Sequence, residues 1–591
     1  MKRYLILSAD ERTWKFDRPV IFLGEWCRRY DRKHIWSKMD AVVAKPYGLT
    51  ISERIKDYAS LLEFKNQIYP EIFNILNRVH NANYSHRFWR ILTGDWLVRY
   101  VDVIYNRVKT LQQCLMNYEI SGVSLISNQD YVLAPPDSLS SVLSLDDDYW
   151  NGILYEKIVH LNKNNEFIIE YIIDSRKNKF EINEGVDKYF VKKNFIKYFV
   201  LKTYNYVAKF LRNEHDALII NSYLPRMEEM KLHLVLGQLP QLWTLNKLVQ
   251  EVKYDWGFRK NIKIKTSYFG EPLLNFAFEE LLIKLMPIVY LEGFKNLSDR
   301  VDALSWPEKP KFIFTSNNHD VDDIFKLYAS KKVECLCSPY YIGVHGGGYF
   351  SYYDNPGNFE LVSDKCLTWG FKHGLPQHIP TFIFTTTGMK GKYDKRGGLL
   401  LIQMPRYNRD RTWDVYVEMQ NYFDKLTKFV KKLDEGPKDN LHIRVHPFAE
   451  NLGWCEQEKW MEFDSEIKID NGKVRLKSMI SRSRLVIHGY DSTGLPETLS
   501  LNIPTLAILQ IGFDQLNELS KPCYQVLVDA GIVHLTSESA AAKVNEVWSN
   551  VERWWARSVI QEARKQFCDQ YARVSHSPAR ELKNILLNGI L

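Results

Sequence analysis

One stretch near the C-terminal end of the chain constrains the fold more than any other. Residues 485–487 form a short apolar run, polar and glycine residues interrupt it, and leucines at helical spacing then continue to Pro504. This pattern predicts a strand, a loop, a short helix beginning at residue 494 and a second strand at 505–509. A helix between two strands is typical of a parallel α/β sheet.

The loop inside this unit predicts a binding site for an anion. Ser492, Thr493 and Gly494 stand where the predicted helix begins. The first turn of a helix leaves N–H groups unpaired and carries the positive end of the dipole, so a phosphate is stabilised there. The alternative is that Ser492 or Thr493 only caps the helix. This segment alone leaves both interpretations open.

A second stretch favours the phosphate interpretation. Residues 442–445 alternate as a strand that is followed by His446 and Pro447, about one helix length before the strand at residue 485. We expect this strand to bring its carboxyl end beside the Ser492 loop, where ligands bind in open α/β sheets. An isolated histidine is more often structural, but two such loops at neighbouring strand ends favour a ligand site.

The rest of the chain predicts two domains, because 591 residues are too many for one core. A polar, glycine-rich segment at 385–398 separates two series of alternating strands and helices. One helix is predicted to run without a break over 276–304. We expect domains over 1–390 and 398–565, followed by a tail over 566–591.

Composition and patterning exclude several classes of protein. Basic residues number 79 against 71 acidic ones, which argues against a dedicated nucleic-acid binder. The eight cysteines form no CxxC pair, so neither a zinc site nor a disulfide framework is predicted. No signal peptide and no apolar run long enough to span a bilayer is found, so we expect a cytoplasmic protein. Residues 189–212 are basic and aromatic, typical of a helix on a membrane surface or of a packed helix with exposed lysines.

Two motifs carry a resemblance to known enzymes. Arg444-Val-His-Pro447, together with Tyr490-Asp-Ser-Thr-Gly494 and Glu497, resembles the nucleotide-binding half of GT-B glycosyltransferases. The motifs are similar to the His-Pro and Ser-Ser/Ser-Thr motifs of bacterial sialyltransferases and Kdo transferases, and to CDP-glycerol-dependent glycerophosphotransferases. Four segments extend the resemblance over nearly the full length: Phe22-Leu-Gly-Glu-Trp-Cys27, residues 80–90, Val344-His-Gly-Gly-Gly-Tyr349 and the region of Thr493. Through them the chain resembles a family of transferases from bacterial surface-carbohydrate clusters, such as those for lipopolysaccharide and O-antigen.

The resemblance implies a fold and a set of site residues. The implied fold is α/β and GT-B-like, with two Rossmann-like domains facing across a cleft and a helical N-terminal elaboration. His446 would meet the charge on a departing CMP, and a general base would come from the first, acceptor-side domain. The implied nucleotide-binding residues are Arg444, His446, Pro447, Tyr490, Ser492, Thr493, Gly494 and Glu497, and the candidate bases are His345, Glu360, Asp364, Asp320 and Glu25.

The expected function is a metal-independent glycosyltransferase without a bound cofactor. It would move a sugar, such as a CMP-activated ulosonic acid (Kdo or a sialic-acid-like sugar), from a nucleotide donor to a surface polysaccharide or lipid-linked glycan. Peripheral contact with the inner membrane surface is also expected. The alternatives are a CDP-alditol-dependent polyol-phosphate transferase and a non-catalytic carbohydrate-binding protein. The acidic run Asp146–Asp148, which resembles a metal-binding DxD motif, is expected to begin a helix instead.

Overall fold

The computed structural model describes most of the chain, and its described residues form three parallel sheets with intervening helices. This confirms the predicted α/β fold class. The predicted site residues His345, Asp320 and Pro447 and the predicted helix over 189–212 lie outside the described residues. The described residues are 1–163, 165–178, 213–240, 252–317, 321–344, 357–404, 409–446, 454–509, 512–514 and 516–588.

The first sheet belongs to the N-terminal region, where we expected two strands, at residues 4–7 and 20–23, followed by helical insertions. Its strand order is β3-β2-β1-β4-β5, with all neighbours parallel. Three of its strands were not predicted, because they are short or carry little apolar periodicity. The strands are β1 Arg3–Ile6, β2 Val20–Phe22, β3 Ala41–Val43, β4 Ile120–Ser127 and β5 Ile168–Ile173, and the helices are α1 Lys33–Trp36, α2 Ile51–Val79, α3 His86–Asn117, α4 Ser138–Ser144 and α5 Asp148–Leu161.

Helices α2 and α3 are the longest described in the structure, and each begins at a polar cap. Thr50 and Glu53 form a reciprocal capping box at the start of α2. Ser85, which precedes α3, accepts a hydrogen bond from the Phe88 N–H at 3.2 Å. Most of α3 is buried, so its stability comes from packing on all sides rather than from one apolar stripe.

The second sheet follows in the described residues from Leu218 to Pro380. Its order is β10-β9-β8-β7-β6, and each strand is parallel to its neighbour. The strands are β6 Leu218–Ile220, β7 Ile313–Thr315, β8 Tyr340–Gly343, β9 Lys365–Thr368 and β10 His378–Pro380, and the helices are α6 Arg226–Val235, α7 Trp256–Arg259, α8 Pro272–Leu285, α9 Phe294–Asp302, α10 Asp323–Leu336 and α11 Asn358–Val362.

The single helix predicted over 276–304 is wrong. Helix α8 ends at Leu285, Met286 is extended, and Pro287 precedes a short 3-10 turn before α9 begins at Phe294. Proline lacks an N–H, and its ring disfavours helical geometry at the residue before it. The apolar periodicity therefore continues across a break in the backbone.

The third sheet has six described strands in the order β13-β12-β11-β14-β15-β16, all parallel. The strands are β11 Gly398–Ile402, β12 Leu441–Arg444, β13 Lys468–Asp470, β14 Ser483–His488, β15 Thr505–Ile508 and β16 Val533–His534. The helices are α12 Val415–Lys431, α13 Glu435–Asp439, α14 Glu456–Phe463, α15 Leu476–Ser481, α16 Gly494–Ser500, α17 Lys521–Asp529, α18 Ser537–Val547, α19 Val551–Trp555, α20 Ser558–Tyr571 and α21 Pro578–Leu587.

The C-terminal helices return from the third sheet to the second. Between α20 and α21, the Arg573 N–H donates to the Trp369 carbonyl at 2.9 Å, and the Arg573 carbonyl accepts from the Ile383 N–H at 2.8 Å. Helix α21 then packs on α6. We call each sheet together with its helices a unit, numbered as the sheets are. The predicted boundary at residue 565 falls inside α20, so the tail is continuous with the third unit. Among the described helices, none is long and apolar enough to cross a membrane.

A buried group of charges joins the first unit to the second. Asp323 and Lys326 on α10 are 3% and 1% exposed, and their carboxylate and ammonium atoms are 3.1 Å apart. Ser138 at the start of α4 donates its hydroxyl to the Asp323 carboxylate at 2.7 Å, and Tyr290 does the same at 2.7 Å. Buried charges require this degree of pairing, because isolated ones are costly.

Removing the Lys326 charge should therefore destabilise the protein strongly. We expect Lys326→Met to lower the free energy of unfolding by about 3–5 kcal/mol, because it leaves the Asp323 carboxylate buried without its cation. Chemical denaturation measures the change. The control is Lys331→Met on the same helix, whose partner Asp302 is 62% exposed, and which should cost at most about 1 kcal/mol. Equal effects of the two variants would contradict a structural role for the buried pair.

Candidate active site

The order of the third sheet fixes where a ligand can bind. Strand β11 lies between β12 and β14, and its Ile402 is the register partner of both Arg444 and His488. The order of the strands reverses between β11 and β14, because β12 and β13 are added on one side of β11 and β14 to β16 on the other. In open α/β sheets, ligands bind in the crevice at the carboxyl ends of strands at such a reversal. The predicted loops at His446 and Ser492 both leave this edge.

Contrary to our expectation, the loops at His446 and Ser492 are not immediate neighbours. Because β11 separates β12 from β14, the strands that carry His446 and Ser492 are two strand spacings apart, or about 9–10 Å. A ligand that contacts both loops must therefore span the end of β11. A nucleotide with its phosphate and attached group has that length, whereas a single phosphate ion does not.

The loop after β14 offers backbone N–H groups. The Gly489 N–H donates to the Ile402 carbonyl at 2.9 Å, which holds the start of the loop against β11. The Leu495 N–H donates to the Ser492 carbonyl at 3.0 Å. In the described part of the chain, the amides of Thr493 and Gly494 donate to no other backbone group. These two N–H groups remain available to a ligand at the start of α16.

A buried histidine lies directly behind this loop. The His488 Nδ1 is 2.9 Å from the Ser492 hydroxyl, and its Nε2 is 3.2 Å from the Thr498 hydroxyl. Thr498 donates its own proton to the Gly494 carbonyl at 2.9 Å. Thr498 therefore accepts from Nε2–H, and Nδ1 is left to accept from Ser492. Burial lowers the pKa of His488 to about 3, so the ring is neutral.

This arrangement changes the role predicted for Ser492. Its hydroxyl proton is committed to His488, and the side chain is only 3% exposed, so Ser492 positions the loop rather than donating to a phosphate. Thr493, by contrast, is partly exposed, and its side chain makes no capping hydrogen bond. Gly494 is required at its position, because a Cβ there would lie 2.6 Å from the His488 ring.

Asp491 is a site residue that sequence reasoning missed. It lies in the same loop and is partly exposed, and the Tyr524 hydroxyl donates to its carboxylate at 2.5 Å. Burial raises the pKa of Asp491 to about 7. At pH 7 a carboxyl group with this pKa is about half protonated, and the protonated form repels a phosphate much less than the ionised form. The partner is 33 residues away in sequence, so no local pattern reveals it.

The predicted nucleotide-binding residue Glu497 lies on α16 and faces inward. It is only partly exposed, and burial raises the pKa of its carboxyl group. Its neighbour Ser500 is hydrogen-bonded at 2.8 Å to Thr386, in the segment that leaves the second sheet. Helix α16 therefore lies against the connection between the second and third units. Tyr490 packs partly against the core of the third unit.

The two residues predicted on β12 differ in their surroundings. The Arg444 guanidinium is paired with Asp470 on β13 and donates to the Val474 carbonyl at 2.6 Å, so it is committed within the sheet. His446, just past the strand end, is partly exposed, and burial lowers its pKa. Of the two, His446 is the one that the geometry leaves at the ligand edge.

The acidic candidates for the general base have structural partners. Asp364 precedes β9 at its amino end, where it pairs with Arg87 at 2.9 Å and accepts from the Tyr340 N–H at 2.8 Å. Ligands bind at the opposite, carboxyl end. Glu25 pairs with Arg28 at 2.6 Å. Neither contact assigns catalysis to these carboxylates.

The remaining acidic candidate, Glu360, belongs to a buried cluster with Cys366 and His378. The potential metal-ligand atoms of these three residues lie within 4.8 Å of one another. Glu360 accepts from His378 Nε2–H at 2.7 Å and from the Gly357 N–H at 2.6 Å. His378 Nδ1 in turn accepts from the His373 N–H at 3.3 Å. The cluster is thus satisfied by its own hydrogen bonds, and both ring nitrogens are already used.

The acidic run before α5 begins a helix, as predicted. Asp147 caps α5 by accepting from the Trp150 N–H at 2.8 Å. Asp146 accepts from the Arg409 N–H at 3.2 Å, and Asp148 pairs with Arg29 at 3.3 Å. The three carboxylates therefore serve separate protein contacts instead of converging on one point.

Comparison with known proteins identifies the family. The model of the LIC12162 family transferase matches residues 3–586. The chain belongs to this family. It is therefore a transferase. A comparison with curated proteins finds no match.

Several solved structures resemble parts of this family member. Spinosyn rhamnosyltransferase SpnG complexed with spinosyn aglycone is 12% identical, with a TM-score of 0.30 over 50% of this chain and 77% of that chain. MurG from Acinetobacter baumannii is 11% identical, with a TM-score of 0.29 over 50% and 78%. UDP-GlcNAc 2-epimerase from Neisseria meningitidis bound to UDP-GlcNAc is 11% identical, with a TM-score of 0.30 over 54% and 88%.

Substitution of the two neighbouring hydroxyl residues should separate their roles in this transferase. Ser492→Ala should lower the free energy of unfolding by about 1–3 kcal/mol, because it leaves the buried His488 Nδ1 without a donor. Thr493→Ala should change stability by at most about 0.5 kcal/mol. Denaturant unfolding of both variants measures the difference. A stable Ser492→Ala variant would show that the hydroxyl is not needed behind the loop.

The same histidine should contribute to acid sensitivity. Because the folded pKa of His488 is about 3 and the unfolded value is about 6.5, the unfolded state binds the extra proton. Its contribution to stability is therefore complete above pH 6.5 and is lost as pH falls toward 3, at about 1.4 kcal/mol per pH unit. The free energies of unfolding of the parent and of His488→Asn are measured from pH 7 to pH 4. The difference between them should change with pH at about this slope. Parallel curves would contradict a neutral, buried ring.

Proposed function

We propose that this transferase is a glycosyltransferase that moves a sugar from a nucleotide donor to a glycan or lipid-linked acceptor. The observation that carries the proposal is the strand order β13-β12-β11-β14-β15-β16. It supports a donor site that extends from the His446 loop to the Thr493 loop across the end of β11. The acceptor then approaches from the side of residues 1–390.

The donor phosphate is held by the loop after β14. The N–H groups of Thr493 and Gly494, the Thr493 hydroxyl and the positive end of α16 all favour negative charge at one point. His446 meets the donor from the other side of β11 as a neutral hydrogen-bond donor, because burial lowers its pKa. Such preorganised donors stabilise the charge that grows on a leaving nucleotide.

The proposed donor is a CMP-activated ulosonic acid, such as Kdo or a sialic-acid-like sugar. This choice is supported by the likeness of Arg444-Val-His-Pro447 and Ser492-Thr493 to the motifs of sialyl- and Kdo transferases. In this chain the Arg444 guanidinium is engaged with Asp470, so nucleotide contact falls to His446 and the backbone. The proposed acceptor is a surface polysaccharide, such as lipopolysaccharide, or its lipid-linked precursor.

No bound metal or cofactor takes part in the proposed reaction. The proposal is supported by Asp146, Asp147 and Asp148, whose carboxylates bind a backbone amide, cap α5 and pair with Arg29. The charge of the leaving group is met by hydrogen-bond donors instead. We also propose work at the cytoplasmic face of the inner membrane, supported by the basic and aromatic sequence of residues 189–212.

Substitution of His446 tests the proposal. We expect His446→Ala to reduce turnover by about 10²- to 10³-fold, with a smaller loss of donor affinity, because the charge it meets grows in the transition state. Nucleotide release from CMP-Kdo, a CMP-sialic acid and CDP-glycerol measures turnover. The matched control is His442→Ala, an exposed histidine on the same strand, which should leave turnover within about twofold of the parent.

The same assay separates the alternative functions. Release from CDP-glycerol alone would favour a polyol-phosphate transferase over a sialyl- or Kdo-type enzyme. Thermal unfolding with CMP, CDP, UDP and GDP adds an independent measurement, because a bound nucleotide stabilises by about 2.7 kcal/mol at a hundredfold excess over Kd. Failure of all four nucleotides to stabilise the protein would favour a carbohydrate-binding role without catalysis. Turnover unchanged by His446→Ala would refute the proposed site.

A further inference from the structure

A cavity of about 220 Å³ lies between α2 and α3, away from the nucleotide loops. Its other walls come from the start of α11 in the second unit and from Asp410 and Arg411 in the third. All three units therefore contribute to it. Clefts that hold drug-sized ligands measure about 300–1,000 Å³, so this cavity suits one small group.

Asp102 and Asp410 in the cavity wall have cationic partners. Lys65 and Asp102 are both buried, and their charged atoms are 2.7 Å apart. Asp410 lies 3.2 Å from Arg99 and 3.8 Å from Arg411. These pairs offset the negative charge of Asp102 and Asp410, which would otherwise repel an anion.

The guanidinium group of Arg90 lies in the same wall and can donate hydrogen bonds from its Nη atoms. Its Nε donates to the Asn358 side-chain oxygen at 3.1 Å, which fixes the plane of the guanidinium. Within the described residues, neither of its Nη atoms donates a hydrogen bond or lies within 4.0 Å of a carboxylate. The Tyr69 ring centroid is 5.8 Å from the guanidinium carbon. Burial lowers the pKa of Arg90, and the attraction of the nearby Asp95 carboxylate offsets only part of that effect.

The neighbouring residues are arranged to hold Asn358 in place. Its amide nitrogen donates to the Asp95 carboxylate at 3.1 Å and to the Arg90 carbonyl at 3.5 Å. The amide also packs against Gly94 so closely that a Cβ there would lie 2.6 Å from the amide oxygen. Glycine weakens a helix interior, so its presence within α3 is explained by this contact. Asn358 thus holds the Arg90 guanidinium, and Gly94 leaves room for the Asn358 side chain beside α3.

We propose that this cavity binds the carboxylate or phosphate group of an acidic sugar in the acceptor. The identification of this ligand as the acceptor rests on the proposed glycosyltransferase function. The inference adds the chemical class of that substrate. A guanidinium with free Nη groups matches the planar edge of a carboxylate or two oxygens of a phosphate. Tyr69 and Tyr58 in the wall supply apolar ring faces for the sugar.

Calorimetric titration of the full chain without nucleotide tests the proposal. The probes are glucuronate, glucose 6-phosphate, glucose and inorganic phosphate. We expect at least one acidic sugar to bind more tightly than both glucose and inorganic phosphate, and the preferred one identifies carboxylate or phosphate as the recognised group. Equal affinity for glucose and both acidic sugars would overturn the proposal. Equal affinity for inorganic phosphate and glucose 6-phosphate, without glucuronate binding, would overturn the acceptor assignment.

Two variants test the role of Arg90 by different routes. Arg90→Gln removes the cation, and Asn358→Asp places a carboxylate against it without changing the size of the side chain. Each should weaken binding of the acidic sugar by about ten- to a hundredfold. The control is Arg87→Gln, three residues earlier on α3, which contacts the Val362 carbonyl and lies outside the cavity wall and should bind like the parent.

The outcomes also separate this inference from the proposed donor site. CMP should bind the parent and both cavity variants with equal affinity, since Arg90 is not among the nucleotide-loop residues. If no nucleotide binds any form but acidic sugars still require Arg90, the donor proposal fails and the cavity stands. If nucleotides bind while acidic sugars bind the parent, Arg90→Gln and Asn358→Asp alike, the cavity proposal is wrong.

Discussion

Helix α3 is the constraint on which the arrangement of the three units depends. Its side chains are buried along most of the helix, so it cannot exist as an exposed amphipathic helix. Near its start, Arg87 donates to the Val362 carbonyl of the second unit at 2.8 Å. Near its end, Asn106 and Arg107 donate to the Thr412 and Arg409 carbonyls of the third unit, each at 3.0 Å. One helix thus satisfies buried carbonyl groups in both other units.

The candidate site follows from a similar use of buried polar atoms. His488 occupies the last position of β14 and is kept neutral by burial, so it can order Ser492 through one nitrogen and Thr498 through the other. The glycine at 494 is required by the ring behind it. The loop therefore has a fixed shape before any ligand arrives, and its backbone amides do not need to reorganise on binding.

The sequence predicted the elements that have clear apolar runs and missed those without them. The strands β12, β14 and β15 were placed within about two residues, whereas β5, with Ile168 and Ile173 largely exposed, has no buried face to detect. The loops of the site were found because glycine and hydroxyl residues follow strands. The role of Ser492 was not predictable, since it depends on which His488 nitrogen carries the proton. Glu360 and Asp364 were chosen by charge, and their partners His378 and Arg87 lie far away in sequence.

The return of the chain through Arg573 has a mechanical consequence. The second and third units are connected twice, once by the segment around Ile383 and once by the segment around Arg573, and the two segments are hydrogen-bonded to each other. Two covalent tethers that run side by side permit rotation about the line between them and oppose twisting or sliding. Any opening of the crevice at the end of β11 toward the second unit would therefore be a rotation about this pair of segments.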